Sequence, residues 1–130
     1  MNNSFYQHGA FSWSELMTDD PEKATAFYTQ VIGWEVEKMA MPEGAYYILK
    51  AAGEPVAGVM GKPAGYEAIP NHWGTYITVD NVDETLALAK ATGGTAVFKP
   101  KDIPNVGRIS AIRDPDGAIV SIITYEKKQC

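Results

Sequence analysis

The chain has 130 residues, 45% hydrophobic and 21% charged, which suits one globular domain with a buried core. A formal net charge of -5 speaks against the clustered Lys and Arg that a nucleic-acid or anionic-membrane surface requires. No apolar stretch approaches the ~20 residues of a spanning helix, and Met1-Asn2-Asn3-Ser4 is not a basic segment followed by an apolar one. A cytoplasmic chain with neither membrane nor nucleic acid as partner is therefore expected. The lone cysteine, Cys130, has no intrachain partner, so neither a disulfide nor a cysteine-based zinc site can form within one chain.

In chain order, Phe11 to Thr18 is an extended run rich in aromatic and alternating apolar residues. A helix is predicted from about Asp20 to Ile32, with Ala24, Phe27, Tyr28, Val31 and Ile32 on one face. Asp20 suits its N-cap, Pro21 its first turn and Gly33 its stop. Three extended runs follow, at about Glu35 to Met41, Tyr46 to Ala51 and Val56 to Gly61, parted by Pro42-Glu43-Gly44 and Gly53-Glu54-Pro55. Lys62 to Asn71 reads as a linker. The pattern then recurs. Trp73 to Val79 is extended, and a second helix runs from about Val82 to Thr92, with Asn81 and Glu84 spaced as a capping box and Gly93-Gly94 at its end. Further strands are expected at Thr95 to Lys99, Arg108 to Arg113 and Ala118 to Tyr125, with Pro100 to Gly107 as a loop crossing a cavity mouth and Asp114-Pro115-Asp116-Gly117 as a turn.

A shift of 61 positions superimposes Leu16 on Ile77, Asp19 on Asp80, Phe27 on Leu88, Gly33 on Gly94 and Val36 on Val97, the mark of an internal duplication. The expected architecture is an α+β single domain over residues 1–130. It comprises a βαβββ module at about 9–61, a linker at 62–71 and a second βαβββ module at about 72–125, whose curled mixed sheets form a cleft. A ferredoxin-like sandwich or another open α+β fold is the alternative order of such elements.

The run Phe11-Ser-Trp-Ser-Glu-Leu-Met-Thr-Asp-Asp, followed by Ala24, Phe27-Tyr28 and Ile32-Gly33-Trp34, resembles the opening of a vicinal oxygen chelate protein, of the glyoxalase, bleomycin-resistance and extradiol-dioxygenase group. The second half does so too, through Trp73-Gly-Thr-Tyr76, Val79-Asp80-Asn-Val-Asp83, Gly93-Gly94, Asp102-Ile-Pro-Asn-Val-Gly-Arg108 and Asp114-Pro-Asp-Gly-Ala118. The resemblance spans about residues 9 to 125 and implies paired modules that close a cleft around a divalent metal or a ligand. It also implies a homodimer. A fold of this kind hosts isomerases, dioxygenases, thiol transferases and antibiotic binders, so function rests on the site.

In such proteins His, Gln or Glu side chains on the first and last strands of each module hold the metal. The resemblance carries those positions to Trp13, Ala57, Gly74 and Ser121, none of which is a competent strong ligand. Shifts of one or two residues recover only His72 and Glu15, moving in different directions. No metal and no cofactor are therefore expected. Strand alternation with Leu16, Ile77 and Val79 toward the helices turns Trp13, Glu15 and Met17 to the cavity, together with Gly74, Tyr76, Thr78 and Ser121, with His72 near the rim.

Glu15 is the candidate catalytic residue. A carboxylate flanked by Trp13 and Met17 is partly desolvated, suiting it to act as a base or as an anchor for a cationic or hydroxylated ligand, or else to make a structural ion pair or backbone hydrogen bond. Trp13 and Tyr76 offer stacking surfaces, Arg108 either holds an anionic group or pairs with an Asp, and Tyr46 packs in the third strand. The reading is a metal-independent protein that binds a small, partly aromatic or hydrophobic molecule. Alternatives are a metal-dependent glyoxalase-type lyase or isomerase, a dioxygenase-like enzyme, or a domain serving protein interaction alone.

Overall fold

The computed structural model describes residues 6–41 and 44–126. Met1-Asn2-Asn3-Ser4, Pro42-Glu43 and Cys130, all used in the sequence reading, lie outside the described residues. The element order is βαβββ twice: β1 (Phe11–Thr18), α1 (Pro21–Val31), β2 (Glu35–Met41), β3 (Gly44–Ala51) and β4 (Glu54–Gly61), then β5 (His72–Thr78), α2 (Val82–Ala91), β6 (Thr95–Ile103), β7 (Gly107–Arg113) and β8 (Ile119–Tyr125). This is the expected α+β arrangement. The chain divides into two compact units, residues 13–74 in one and residues 75–126 with 6–12 in the other.

In the first unit the strand order is β2-β3-β4-β1, with antiparallel hairpins and a parallel β4–β1 pair. One face is covered by α1. Leu16, Tyr47, Leu49, Ala57 and Val59 form its core, and Ala24, Tyr28, Trp34 and Ala45 pack on them. The helix starts where Asp20 accepts a hydrogen bond from the Lys23 N–H at 3.1 Å, satisfying one of the donors that a helix start leaves open. Glu22, in its first turn, accepts from the Tyr47 hydroxyl at 3.1 Å and from Lys38 at 3.3 Å, which ties the helix to β2 and β3. That hydrogen bond holds the Lys38 ammonium above its ordinary pKa.

The expected apolar face of α1 is only partly an inner face. Ala24, Thr25 and Tyr28 turn to the sheet, whereas Phe27, Val31 and Ile32 are 55%, 59% and 55% exposed. The helix is short and crosses its sheet on the narrow stripe of positions 24, 25 and 28, so the neighbouring stripe remains outside.

The second unit repeats the plan in the order β5-β8-β7-β6, with β5 and β8 parallel and the hairpins antiparallel. Val79, Val82, Leu86 and Ile122 form the core under α2, supported by Ile77, Ala96 and Ile112. Asn81 caps α2 by accepting from the Glu84 N–H at 3.0 Å.

The stretch 100–107 is not the long loop that its prolines suggested. β6 runs on to Ile103 and turns tightly into β7, closed by a Val106 N–H to Ile103 carbonyl bond of 3.0 Å. Pro100 is tolerated because β6 is the outer strand of its sheet and its register shifts between Phe98 and Lys101, so no ladder bond is demanded of that residue. Gly107 follows at φ +152°, where a β-carbon would run into the Thr124 carbonyl and lie 2.8 Å from the Tyr125 Cα.

Exposure decides what a truncation costs here. Leu49 is fully buried, so Leu49→Ala is expected to lower stability by about 2–5 kcal/mol in urea unfolding. Leu88, 68% exposed on α2, is expected to tolerate the same change within about 0.5 kcal/mol.

Candidate functional site

The functional question concerns the sheet faces that the helices leave. In the first unit Glu15 stands opposite Gly58, Gly58 opposite Ile48 and Ile48 opposite Glu37, so these four share one face. Two residues along each strand, Met17, Met60, Tyr46 and Met39 join them. Leu16, Ala57 and Val59, one step away, point to α1. Ala57, carried over from the family pattern as a ligand position on β4, therefore belongs to the helix-side core. Gly58 is the residue beside Glu15, because a register difference of one residue exchanges sheet faces.

Glu15 is only 4% exposed. Its carboxylate accepts a hydrogen bond of 2.7 Å from the Tyr46 hydroxyl, and that hydroxyl accepts one of 2.8 Å from the Trp13 indole N–H. The result is a directional relay, Trp13 to Tyr46 to Glu15, across strands β1, β4 and β3. Burial disfavours the ionised carboxyl while a donated phenol proton favours it, so Tyr46 offsets part of what desolvation costs. The relay crosses Gly58, where a built β-carbon would collide with the Tyr46 hydroxyl and lie 2.8 Å from its Cε2. Sequence reasoning assigned Tyr46 to packing. The missing signal was the register that puts an open glycine between this tyrosine and this glutamate.

The apolar part of the face is rich in methionine. Met17, 3% exposed, stands opposite Met60, and Met39 is paired with Tyr46. Thioether side chains adapt to irregular and aromatic partners. At the far side Glu37 is ion-paired with Lys50. His72 stacks in parallel on Tyr66, with centroids 6.1 Å apart. Its Nδ1 lies 2.9 Å from the Pro70 carbonyl, and because a carbonyl only accepts, Nδ1 carries the proton. Nε2 turns toward Gly74, where a built β-carbon would be 3.7 Å away.

In the second unit Tyr76, Ser121 and Ala111 are successive partners across β5, β8 and β7, as are Thr78, Ile123 and Ile109. Tyr76, Thr78 and Ser121 thus share the face away from α2, at 3%, 5% and 5% exposure. By the 61-residue duplication Tyr76 takes the place of Glu15 and faces Ser121 as Glu15 faces Gly58. Arg108 lies elsewhere. On β7 it alternates with Ile109 and so faces α2, donating to both carboxylate oxygens of Asp83 at 3.1 and 3.2 Å and to Asp102 at 3.0 Å. Of the two alternatives for Arg108, the structure shows the pairing with Asp. The Asp83 and Asp102 hydrogen bonds push the guanidinium pKa upward.

With this geometry established, comparison with known proteins identifies the family. A model of the Glyoxalase/Bleomycin resistance protein/Dioxygenase superfamily matches residues 10–122. The chain belongs to this superfamily. Within it, the chain is 43% identical over 122 residues to CFP32 of Mycobacterium tuberculosis, which bears a glyoxylase name; the match covers 93% of this chain and 46% of that protein. It is 27% identical over 127 residues to the anthracycline biosynthesis protein DnrV of Streptomyces peucetius, covering 88% and 46%. The chain thus spans about half the length of these curated relatives. Among solved structures, methylmalonyl-CoA epimerase of Streptomyces coelicolor superimposes with a TM-score of 0.64 at 14% identity, over 93% of this chain and 100% of that one. The enzyme of the same name from Mycobacterium tuberculosis gives 0.62 at 12%, over 98% and 93%. At these identities the likeness shows the fold alone.

The superfamily's metal does not fit the residues present. Trp13, Gly58, Gly74 and Ser121 supply no imidazole or carboxylate, and among the described residues no three His, Cys, Asp or Glu side chains converge. Among the described residues no helix is long and apolar enough to cross a membrane.

Because Asp83 and Asp102 are largely exposed, their pairing with Arg108 is screened by salt. Arg108→Gln is expected to lower the melting temperature in dilute buffer, with the difference shrinking in molar salt. Thermal melts at two ionic strengths measure it.

Proposed function

We propose that this chain is a metal-independent member of its superfamily that binds a small, partly aromatic or hydrophobic molecule on the sheet face carrying Glu15. The observation that carries the reading is the buried Glu15 carboxylate, held by Tyr46 at 2.7 Å on the face away from α1. A carboxylate in that setting accepts hydrogen bonds and takes up protons, so it suits a ligand with hydroxyl, phenol or ammonium donors, as anchor or as general base. Trp13, Met17 and the neighbouring methionines supply apolar and stacking contact and His72 an imidazole nitrogen, while Tyr76, Thr78 and Ser121 offer hydrogen-bonding groups on the second unit's own sheet face. The donors of Trp13 and Tyr46 are spent within the relay, and Lys50 is paired with Glu37. This favours neutral or cationic ligands over anionic acyl thioesters. The relative named for anthracycline biosynthesis makes hydroxylated polycyclic aromatics the first class to test.

A second reading, a metal-dependent glyoxalase-type lyase, is supported by the glyoxylase name of the 43% identical relative. Elemental analysis separates the two: under the proposal the mildly purified protein holds no stoichiometric Zn, Ni, Mn or Fe, and a chelator leaves it folded. One metal per chain selects the second reading. We further propose a homodimer. The outer strands β2 and β6 support it, since each leaves a row of backbone groups that a second copy can cover. Light scattering at micromolar concentration that gives the 14.1 kDa monomer overturns it.

The test of the main reading is a thermal-shift screen over phenols, aromatic amines, aromatic acids, thiols, antibiotics and divalent metals, followed by binding to Glu15→Gln. The amide keeps the shape and can still accept from Tyr46. Loss of a charge-assisted contact of about 1.5–3 kcal/mol is expected to weaken binding roughly ten- to a hundredfold with little change in melting temperature. A destabilised variant with wild-type affinity assigns Glu15 to structure instead.

A further inference from the structure

The arrangement around Glu15 contains more than an acceptor in a buried place. Tyr46 starts on β3 and Glu15 sits on β1, with all of β4 between them. Adjacent strands lie ~4.8 Å apart, so a tyrosine two strands away meets the glutamate only by lying flat along the sheet. The strand it lies over presents Gly58 at that point. The β-carbon of any other residue would fall where the Tyr46 hydroxyl and ring stand. Beyond Tyr46, Trp13 precedes Glu15 by one pleat on the same strand and donates its indole N–H to the phenol oxygen. That contact leaves the phenol hydrogen aimed at the carboxylate, since an oxygen receiving one hydrogen bond is turned to donate its own in another direction.

We infer that Tyr46 is a positioning residue for Glu15, that Trp13 orients it, and that Gly58 is the opening through which it works. Together they fix the rotamer of the carboxylate and stabilise its ionised form in the ligand-free protein. Among the described residues, β2 and β3 place Glu35, Glu37 and Lys50 on this face, with Glu37 and Lys50 ion-paired, and the β5 end offers His72, whose Nδ1 is held by Pro70. Tyr46 donates to the carboxylate directly.

The inference rests on the reading of Glu15 as the functional carboxylate, but its test needs no ligand, so the two fail separately. In protein labelled with ¹³C at glutamate side chains, the Glu15 carboxyl is assigned by its loss in Glu15→Gln and titrated by NMR, and the Trp13 indole N–H signal is assigned with Trp13→Phe. Tyr46→Phe keeps the ring and removes the donor. It is expected to displace the Glu15 titration to higher pH, because the ionised form loses its hydrogen bond while burial remains. It is also expected to move the Trp13 signal, and to lower the melting temperature more at a pH above the Glu15 titration than below it. Gly58→Ala is expected to produce both NMR changes by expelling the phenol, and to cost stability. Gly58→Ala placed in a Tyr46→Ala background is expected to cost far less, since the colliding ring is gone. A Glu15 titration unmoved or displaced downward in Tyr46→Phe overturns the positioning role. A Gly58→Ala variant that leaves the Trp13 signal unchanged, or is as costly in the Tyr46→Ala background as alone, overturns the role of the glycine.

Discussion

A carboxylate withdrawn from water must find hydrogen-bond donors or remain a large unfavourable term, several kcal/mol in practice. That constraint organises the first unit around Glu15. One donor comes from Tyr46, two strands away, and the ring that brings it must lie on a strand with nothing in its path. Gly58, Trp13 and the sheet register follow from that geometry, as does the division of the sheet into a helix-covered face and a face with a polar centre. The methionines beside it give this face an apolar surround whose side chains adapt to irregular neighbours.

The second unit uses the same scaffold to a different end. Where Glu15 faces Gly58, Tyr76 faces Ser121, so the duplication kept the backbone and exchanged the chemistry. An ion-pair cluster lies on its other face, where Arg108 gathers Asp83 of α2 and Asp102 of β6 and fastens the helix to the β6–β7 hairpin. Both modules thus carry ion pairs beside the helix, and the first adds a buried carboxylate on the opposite face. A single repeated fold carries such asymmetry easily, because alternate residues of a strand belong to different surfaces.

Membership of a superfamily named for glyoxalases and dioxygenases does not bring their chemistry along. Metal chemistry requires several imidazole or carboxylate donors converging within about 2–2.5 Å of one point, and residues without lone pairs of that kind cannot substitute for them. The positions carrying donors in metal-bearing relatives here hold an indole, hydrogen atoms and a hydroxyl. Among the described residues the first unit offers there a buried carboxylate hydrogen-bonded by a phenol.

The alternation of elements was legible along the chain. The periodicities of 3.6 and 2, the caps Asp20 and Asn81, the glycines after each helix and the 61-residue repeat are local or additive signals, and every strand and helix they marked is present. The sequence also singled out Glu15, Trp13 and Met17 as neighbours on one face, since alternation within a strand needs no partner. Whatever depends on pairing between strands was not legible there. The continuation of β6 through Pro100, the displacement of Ala57 by Gly58 and the turn of Arg108 toward α2 each rest on a register or an outer-strand position that no single strand encodes. The exposure of Phe27, Val31 and Ile32 belongs with them, because a helix stripe is inner or outer only relative to the sheet beneath it. The link from Tyr46 to Glu15 joins residues 31 apart in sequence across an intervening strand. Its cause is the absence of a side chain at a third position, and such an absence acquires meaning only when the strands are laid side by side.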